Sequence, residues 1–239
     1  MTKNPAAILL TLTVPLWAGA AESAYWYLDD NKVTYAYEDL SGISASGTSL
    51  NFSMFNSDNV AAAEGLSGTY TLSHVLVSID GTINGVFRFY NMSSDPSRSV
   101  TSATLQNNPG LTFTVNGTSV AEQFSYTDPN TPFTVGAQTS VEHNFSATGN
   151  GPAQTDIFTA LQGFVGGPNE TLATTVTPYL SINTSSSPDI LSGLNNLQSS
   201  VSSVSITYFY DYTPVPEPSG LALLFVGCAA IMGRRRKLK

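Results

Sequence analysis

The chain has 239 residues, one cysteine (Cys228) and a formal net charge of −8 at pH 7. Five of the nine basic side chains stand among the last six residues, so residues 21–213 hold three basic and sixteen acidic side chains, a net charge of −13. This charge argues against nucleic acid and anionic surfaces as partners. Without a cysteine, residues 21–213 have neither a disulfide nor a thiolate metal site.

The first twenty residues are typical of an export signal. Lys3 precedes an apolar stretch, residues 5–17, and Ala18-Gly19-Ala20 fits a small-residue cleavage site. The stretch is too short to span a bilayer, which takes about 20 apolar residues. A buried N-terminal strand or helix is the alternative. We therefore predict a signal peptide at 1–20, cut after Ala20, and an exported domain at 21–213.

Within residues 21–213, β-branched and aromatic runs alternate with turn residues, as in antiparallel strands. The predicted strands include 33–37, 49–55, 69–80, 83–90, 111–115, 140–147, 172–182 and 203–212. Asp80-Gly81 and Asn84-Gly85 favour the positive φ angles of tight hairpin turns, so a hairpin is predicted between 69–80 and 83–90. The fold class is all-β, an antiparallel sandwich of jelly-roll or immunoglobulin-like type.

Two stretches leave their secondary structure open. Residues 156–165 fit either a short helix, capped by Thr155 or Asp156, or a strand. Residues 189–201 place five apolar side chains at helical spacing, but Gly193 and the Ser and Asn content weaken a helix there.

The C-terminal segment, 214–239, has three features in a fixed order. Pro216-Glu217-Pro218 comes first, residues 220–233 are apolar or small, and a cationic cluster follows. The cluster contains Arg234, Arg235, Arg236 and Lys237. An apolar run followed by cations stops in the membrane with the cations in the cytoplasm. We predict a single short transmembrane helix, and its length, about 14 residues, suits a transient stop.

This order of features resembles the PEP-CTERM sorting signal of Gram-negative bacteria, a module also labelled an ice-binding protein C-terminal domain. Pro216-Glu217-Pro218 matches the motif that gives the signal its name, and the resemblance covers about 25 residues. It implies recognition by an exosortase, a membrane-embedded cysteine transpeptidase or protease, which would cut near the motif and release or re-anchor the body.

The body resembles the choice-of-anchor E domain family. The matching segments are LNFSMFNSD at 50–58, VLVSIDGTINGVFRFYN at 75–91 and SVSITYFYDYTP at 203–214. The resemblance covers roughly residues 34–214. It implies a secreted β-domain joined to interchangeable surface anchors and supplies no catalytic residues.

Candidate sites are few in this sequence. His74 and His143 would suit general-base or metal chemistry, but strands also carry structural histidines, and that interpretation is preferred for both. Asp29-Asp30-Asn31 is the densest oxygen cluster and would suit Ca²⁺, although an exposed turn is the simpler interpretation. No catalytic residue, metal site or cofactor is predicted.

Aromatic residues offer a binding surface instead. Tyr25, Trp26 and Tyr27 follow directly after the predicted signal, and Tyr208 to Tyr212 is a second aromatic-rich run. Exposed planar rings stack on sugars, whereas in strands half of each set must face a core. Tyr25, Trp26 and Tyr27 are therefore the candidate ligand contacts.

These patterns together predict an exported, exosortase-sorted protein of the cell surface or extracellular matrix of a Gram-negative bacterium. It would be anchored transiently in the inner membrane and play a non-catalytic structural or adhesive role, linked to exopolysaccharide or biofilm. A carbohydrate-binding module is the first alternative, and a polysaccharide-active enzyme is the second.

Overall fold

The structure, a computed structural model, describes residues 23–43, 46–105 and 109–215. These residues form thirteen β-strands, one α-helix and one 3-10 helix, and the strands of each sheet pair antiparallel. The prediction of an all-β fold is therefore confirmed. The predicted signal at 1–20, the Pro216-Glu217-Pro218 motif and the apolar and basic residues that follow it lie outside the described residues.

The strands and the α-helix are numbered in chain order. They are β1 (Ser23–Asp29), β2 (Lys32–Ile43), β3 (Thr48–Ser53), α1 (Ser57–Glu64), β4 (Gly68–Asn91), β5 (Arg98–Leu105), β6 (Pro109–Val115), β7 (Thr118–Gln123), β8 (Phe133–Val135), β9 (Ser140–Thr148), β10 (Ala153–Ile157), β11 (Thr171–Pro178), β12 (Ile182–Ser186) and β13 (Ile190–Pro214). The 3-10 helix, Leu161–Phe164, lies between β10 and β11.

Three sheets form two layers. Sheet A has the order β1-β2-β13-β4-β10, and β9 pairs with the second half of β4. Sheet B has the order β3-β11-β6-β7, and sheet C has the order β12-β5-β8. Sheets B and C lie against one face of sheet A, so the architecture is sandwich-like.

The hairpin predicted at Asp80-Gly81 and Asn84-Gly85 is wrong, because β4 runs without a turn from Gly68 to Asn91. Strand β13 pairs with it over almost that whole length. Neither glycine has a positive φ. A Cβ on Gly81 would lie 2.6 Å from the Ser200 carbonyl oxygen, and one on Gly85 would lie 2.8 Å from the Phe145 ring. Both glycines therefore permit close packing in a strand rather than a turn.

Tight turns occur at two other places. Asn116 and Gly117 join β6 to β7 with φ values of 45° and 78°. Asp30 and Asn31 join β1 to β2, and Asn31 has a φ of 58°. These are the two-residue hairpin turns whose positive φ favours Asn and Gly.

The core lies between the layers and is rich in aromatic rings. The Phe52 ring of sheet B lies 5.0 Å from Tyr37 of sheet A, and the Phe133 ring of sheet C lies 5.1 Å from Phe89. Phe52 and Phe89 are at most 1 % exposed. Complete burial of such a side chain contributes about 1.5–3 kcal/mol, so these rings hold the layers together.

The two ambiguous stretches resolve differently. Residues 190–201 belong to β13, because the pairing with β4 overrides the helical spacing of the apolar side chains. Residues 156–165 begin at the end of β10 and continue into the 3-10 helix, after Ala160 in the left-handed region. The α-helix α1 was not predicted. It begins after Asn56, whose side chain accepts a hydrogen bond from the Asn59 N–H, and it ends at Gly65.

Candidate functional site

The predicted ligand contacts Tyr25, Trp26 and Tyr27 all lie in β1. Successive side chains of a strand point to opposite faces. Trp26 packs against the core and its ring lies 6.3 Å from Tyr35. Tyr27 pairs with Thr34 and is 40 % exposed. The structure therefore places Trp26 and Tyr27 on opposite faces of sheet A, and only Tyr27 of these two lies on the outer face.

Three stacked rings lie on the outer face of sheet A, the face opposite the core. We call Phe209, His74 and Phe158 the aromatic row. Phe209 on β13 pairs with His74 on β4, and Phe158 follows directly after β10, the next strand. The His74 ring lies 4.1 Å from Phe209 at 7° and 5.0 Å from Phe158 at 21°. The imidazole is thus stacked between the phenyl ring of Phe209 on β13 and that of Phe158, just after β10.

Phe158 is the most exposed large apolar side chain among the described residues, with 66 % of its surface open. Because His74 stacks on one side of it, its remaining surface faces solvent in a fixed orientation. Ser73 supports the stack, since its hydroxyl donates to the Phe209 carbonyl at 3.0 Å and lies 3.3 Å from Nδ1 of His74. A ring held in this way loses little conformational entropy when a ligand stacks on it.

The surroundings of the aromatic row are polar and mostly acidic. Asp156 on β10 and Asp211 on β13 are exposed. Lys32, which pairs with Phe209, forms an ion pair with Asp29 at 3.0 Å. The pKa of the Asp29 carboxyl is lowered first by the hydrogen bond from the Lys32 side chain, then by the hydrogen bond from the Asp30 N–H and by the Lys32 charge. The local charge therefore disfavours an anionic ligand.

A second constellation joins the two residues Asp128 and His143. Asp128 precedes β8 and is 1 % exposed, and its Oδ2 lies 2.5 Å from Nδ1 of His143 on β9. Its Oδ1 accepts from the Asn130 N–H at 3.0 Å and from the Asn130 amide at 2.8 Å. Burial opposes ionisation of Asp128, but the bonds from His143 and Asn130 outweigh burial and lower the pKa of the carboxyl.

This arrangement fixes the orientation of the His143 ring, which also packs edge-on against Phe133 at 4.5 Å. Nucleophilic catalysis would require a hydroxyl or thiol bonded to the other ring nitrogen. In the part of the chain that the structure describes, no such bond to Nε2 of His143 is present. The pair orients the His143 side chain and ties the segment before β8 to β9.

A third feature, the buried carboxyl of Glu122 on β7, was not singled out from the sequence. Glu122 is 1 % exposed, and neither of its carboxyl oxygens has a hydrogen-bond partner. Burial, and next the neighbouring Asp80, raise the pKa of this carboxyl to about 8. The Gly81 N–H opposes this shift without reaching hydrogen-bonding geometry.

The remaining predictions concern ions and membranes. Asp29 and Asp30 lie at the β1–β2 turn, where Asp29 binds Lys32. No group of three or more His, Cys, Asp or Glu side chains suited to a metal ion occurs in the described ranges. Within the same ranges, no helix is long and apolar enough to cross a membrane. The predicted span at 220–233 and the basic cluster from Arg234 to Lys237 lie beyond them.

Sequence reasoning did not identify Phe158. The apolar residues of 156–165 fit a helix and a strand equally, so the side of the sheet on which Phe158 lies was not predictable. Phe209 stood inside the aromatic-rich run of β13, and for His74 a structural role was preferred to a catalytic or metal-binding one. Their association depends on the register of three strands distant in sequence.

Comparison with known proteins found no matching family model, no matching curated protein and no matching solved structure.

Proposed function

We propose that this chain is an exported, non-catalytic bacterial surface or matrix protein that contacts extracellular polysaccharide through the aromatic row. The supporting observation is Phe158, a phenyl ring 66 % exposed and held by stacking on His74. An aromatic ring offers a flat apolar surface to the C–H groups of a sugar. The ligand class that fits is a neutral or amino-sugar polysaccharide, because Asp156 and Asp211 and the −13 charge of residues 21–213 repel uronic acids.

The proposal includes the route to the surface. Residues 1–20 act as the export signal, exosortase reads Pro216-Glu217-Pro218, and the apolar helix holds the chain in the inner membrane until processing. The resemblance of the last 25 residues to the PEP-CTERM signal supports this route. A jelly-roll or immunoglobulin-like subclass for the sandwich and a transmembrane helix at 220–233 belong to the same proposal.

The ligand test compares binding of the purified protein to an insoluble neutral β-glucan and to polygalacturonate. We expect binding to the neutral polymer and a loss of about tenfold or more in Phe158→Ala, equivalent to about 1.4 kcal/mol. Tyr179→Ala is the matched control, since Tyr179 is 55 % exposed and lies outside the aromatic row. Equal binding by Phe158→Ala and the wild type would overturn the assignment of the row.

The alternative, a dedicated carbohydrate-binding module, is favoured by the same exposed ring. The two functions differ in selectivity. A binding module would prefer one glycan strongly in an array, whereas a matrix adhesin would retain several neutral polymers with similar strength. Tyr27→Ala tests whether the ligand extends across the outer face to β1, where Tyr27 is 40 % exposed.

The sorting test uses the native host. In Glu217→Ala, we expect the protein to keep the mass of the unprocessed C-terminus. A matched Glu170→Ala variant changes a carboxylate within the described body and should be processed as usual. Normal processing of Glu217→Ala would contradict the sorting proposal and would leave the ligand proposal unaffected.

A further inference from the structure

Four segments meet around the buried Glu122 carboxyl. Glu122 lies on β7, opposite Leu111 of β6. Asp80 and Gly81 lie where the partner of β4 changes from β10 to β9. Gly149 lies between β9 and β10, and its N–H donates to the Gly81 carbonyl at 3.3 Å. The carboxyl therefore lies where sheet B meets the middle of β4, the second-longest strand of sheet A.

The packing around the Glu122 carboxyl is tight. A Cβ on Gly149 would lie only 1.6 Å from Oε1 of Glu122, so the carboxyl is pressed against the glycine backbone. Both carboxyl oxygens are buried and lack a hydrogen-bond donor. A buried carboxylate without a donor or a counter-charge is costly. A proton removes this charge and needs no extra volume.

Within the described residues, the charged group that acts on Glu122 is Asp80 of β4. From the other neighbouring segments, β6 presents Leu111 and the β9–β10 connection presents Gly149, neither of which titrates. The negative charge of Asp80 disfavours a second negative charge nearby, so it adds to the effect of burial on Glu122.

We propose that Glu122 carries a proton at neutral pH and forms a pH-sensitive latch that holds β7 and the β9–β10 connection against β4. Loss of that proton leaves a negative charge without a hydrogen-bond donor in a buried site. The contact between β7 and β4 then weakens. The latch therefore loosens one end of sheet B in alkaline solution while the rest of the core stays closed.

The direction of the pH effect follows from the two states of the chain. Burial, then Asp80, raise the pKa of Glu122 to about 8 in the folded protein, against 4.5 as its ordinary value. The folded state therefore binds the proton more tightly than the unfolded state. The stabilisation is fully present below about pH 4.5, declines as the pH rises, and is lost above about pH 8.

The first experiment measures the thermal unfolding temperature of the full protein between pH 6 and pH 9. We expect the wild-type value to fall over this range and the fall to disappear in Glu122→Gln, whose amide keeps the shape and a hydrogen-bond donor. Glu142→Gln is the matched control, because Glu142 is half-exposed on β9 beside Arg88, and it should fall like the wild type. An unchanged pH dependence in Glu122→Gln would overturn the latch.

A second measurement does not depend on the stability of a variant. Infrared spectroscopy of the wild-type protein should detect a protonated carboxyl band at pH 7 that titrates with a midpoint near 8. Hydrogen exchange, corrected for the intrinsic pH effect, should then rise at residues 118–123 and 149–157 but not at residues 48–53. A protein without that band at pH 7, or with uniform exchange changes, would show that Glu122 does not form the latch.

Discussion

The Nδ1 atom of His143 on β9 lies 2.5 Å from Oδ2 of Asp128, and this hydrogen bond fixes the segment before β8 to sheet A. Asp128 is buried and accepts three hydrogen bonds, so its charge is balanced by donors rather than by water. Removing one donor leaves a buried charge under-compensated.

His143→Ala should therefore lower the free energy of unfolding by about 3 kcal/mol. Urea unfolding of the purified protein measures the loss. Asn144→Ala, on the same strand but exposed, serves as the control and should change stability by less than about 0.5 kcal/mol. Equal effects of the two substitutions would show that the bond to Asp128 contributes nothing.

The stability of the protein should also depend on the ionisation of Asp128 in acid. Because its pKa is lowered in the folded protein, its contribution to stability is present above about pH 4, its ordinary range. That contribution is lost as the pH falls through the lower folded value. We expect the unfolding temperature of the wild type to fall more steeply below pH 4 than that of Asp128→Asn. Parallel curves for the two proteins would contradict this.

Gly81→Ala should destabilise the protein by about 1–3 kcal/mol, as overpacking does. The added Cβ would lie 2.6 Å from the backbone oxygen of Ser200, which cannot move aside as a side chain can. Gly193→Ala is the matched control, because Gly193 lies in the partner strand β13 with nothing within 4 Å of its added Cβ. Denaturant midpoints for both variants test the prediction, and equal midpoints would refute it.

Two tyrosines of sheet A tie it to β3 of sheet B. The Tyr208 hydroxyl donates to the Ser53 carbonyl at 3.0 Å, and the Tyr37 hydroxyl donates to the Asn51 carbonyl at 2.5 Å. Tyr208→Phe and Tyr37→Phe should each lower the free energy of unfolding by about 1 kcal/mol. Tyr179→Phe, at an exposed position, should have no measurable effect. A Tyr208→Phe protein as stable as the wild type would show that the hydrogen bond from Tyr208 to Ser53 does not stabilise the fold.

The strand pattern was predictable because it is local. Strand-like runs bounded by turn residues predicted strands at 33–37, 111–115 and 140–147, and each lies within an observed strand. The prediction of a hairpin at Asp80-Gly81 was wrong because a glycine can be required for either of two reasons, a positive φ or a close contact with its neighbours. Only the position of Ser200, 119 residues further along the chain, decides which purpose applies.

The sites were less predictable because they depend on strand register. His74 meets Phe209 through the pairing of β4 with β13, and meets Phe158 through β10. Asp128 and His143 come together across the segment that contains β8. In each case the residue types were visible in the sequence, but their partners were not.

The pairing of β13 with both of its neighbours has a mechanical consequence. Strand β13 is bonded to β4 from Ile190 to Pro214 and to β2 from Ser199 to Phe209. Interstrand hydrogen bonds in antiparallel sheets lie perpendicular to the strands. Suppose that the chain is pulled after Pro214 while a matrix bound to the sheet holds the domain back. The force would then run along β13, across the direction of these hydrogen bonds, and many of the bonds would bear it at the same time. A chain tethered at this end would resist extraction far better than one whose last strand peeled away bond by bond.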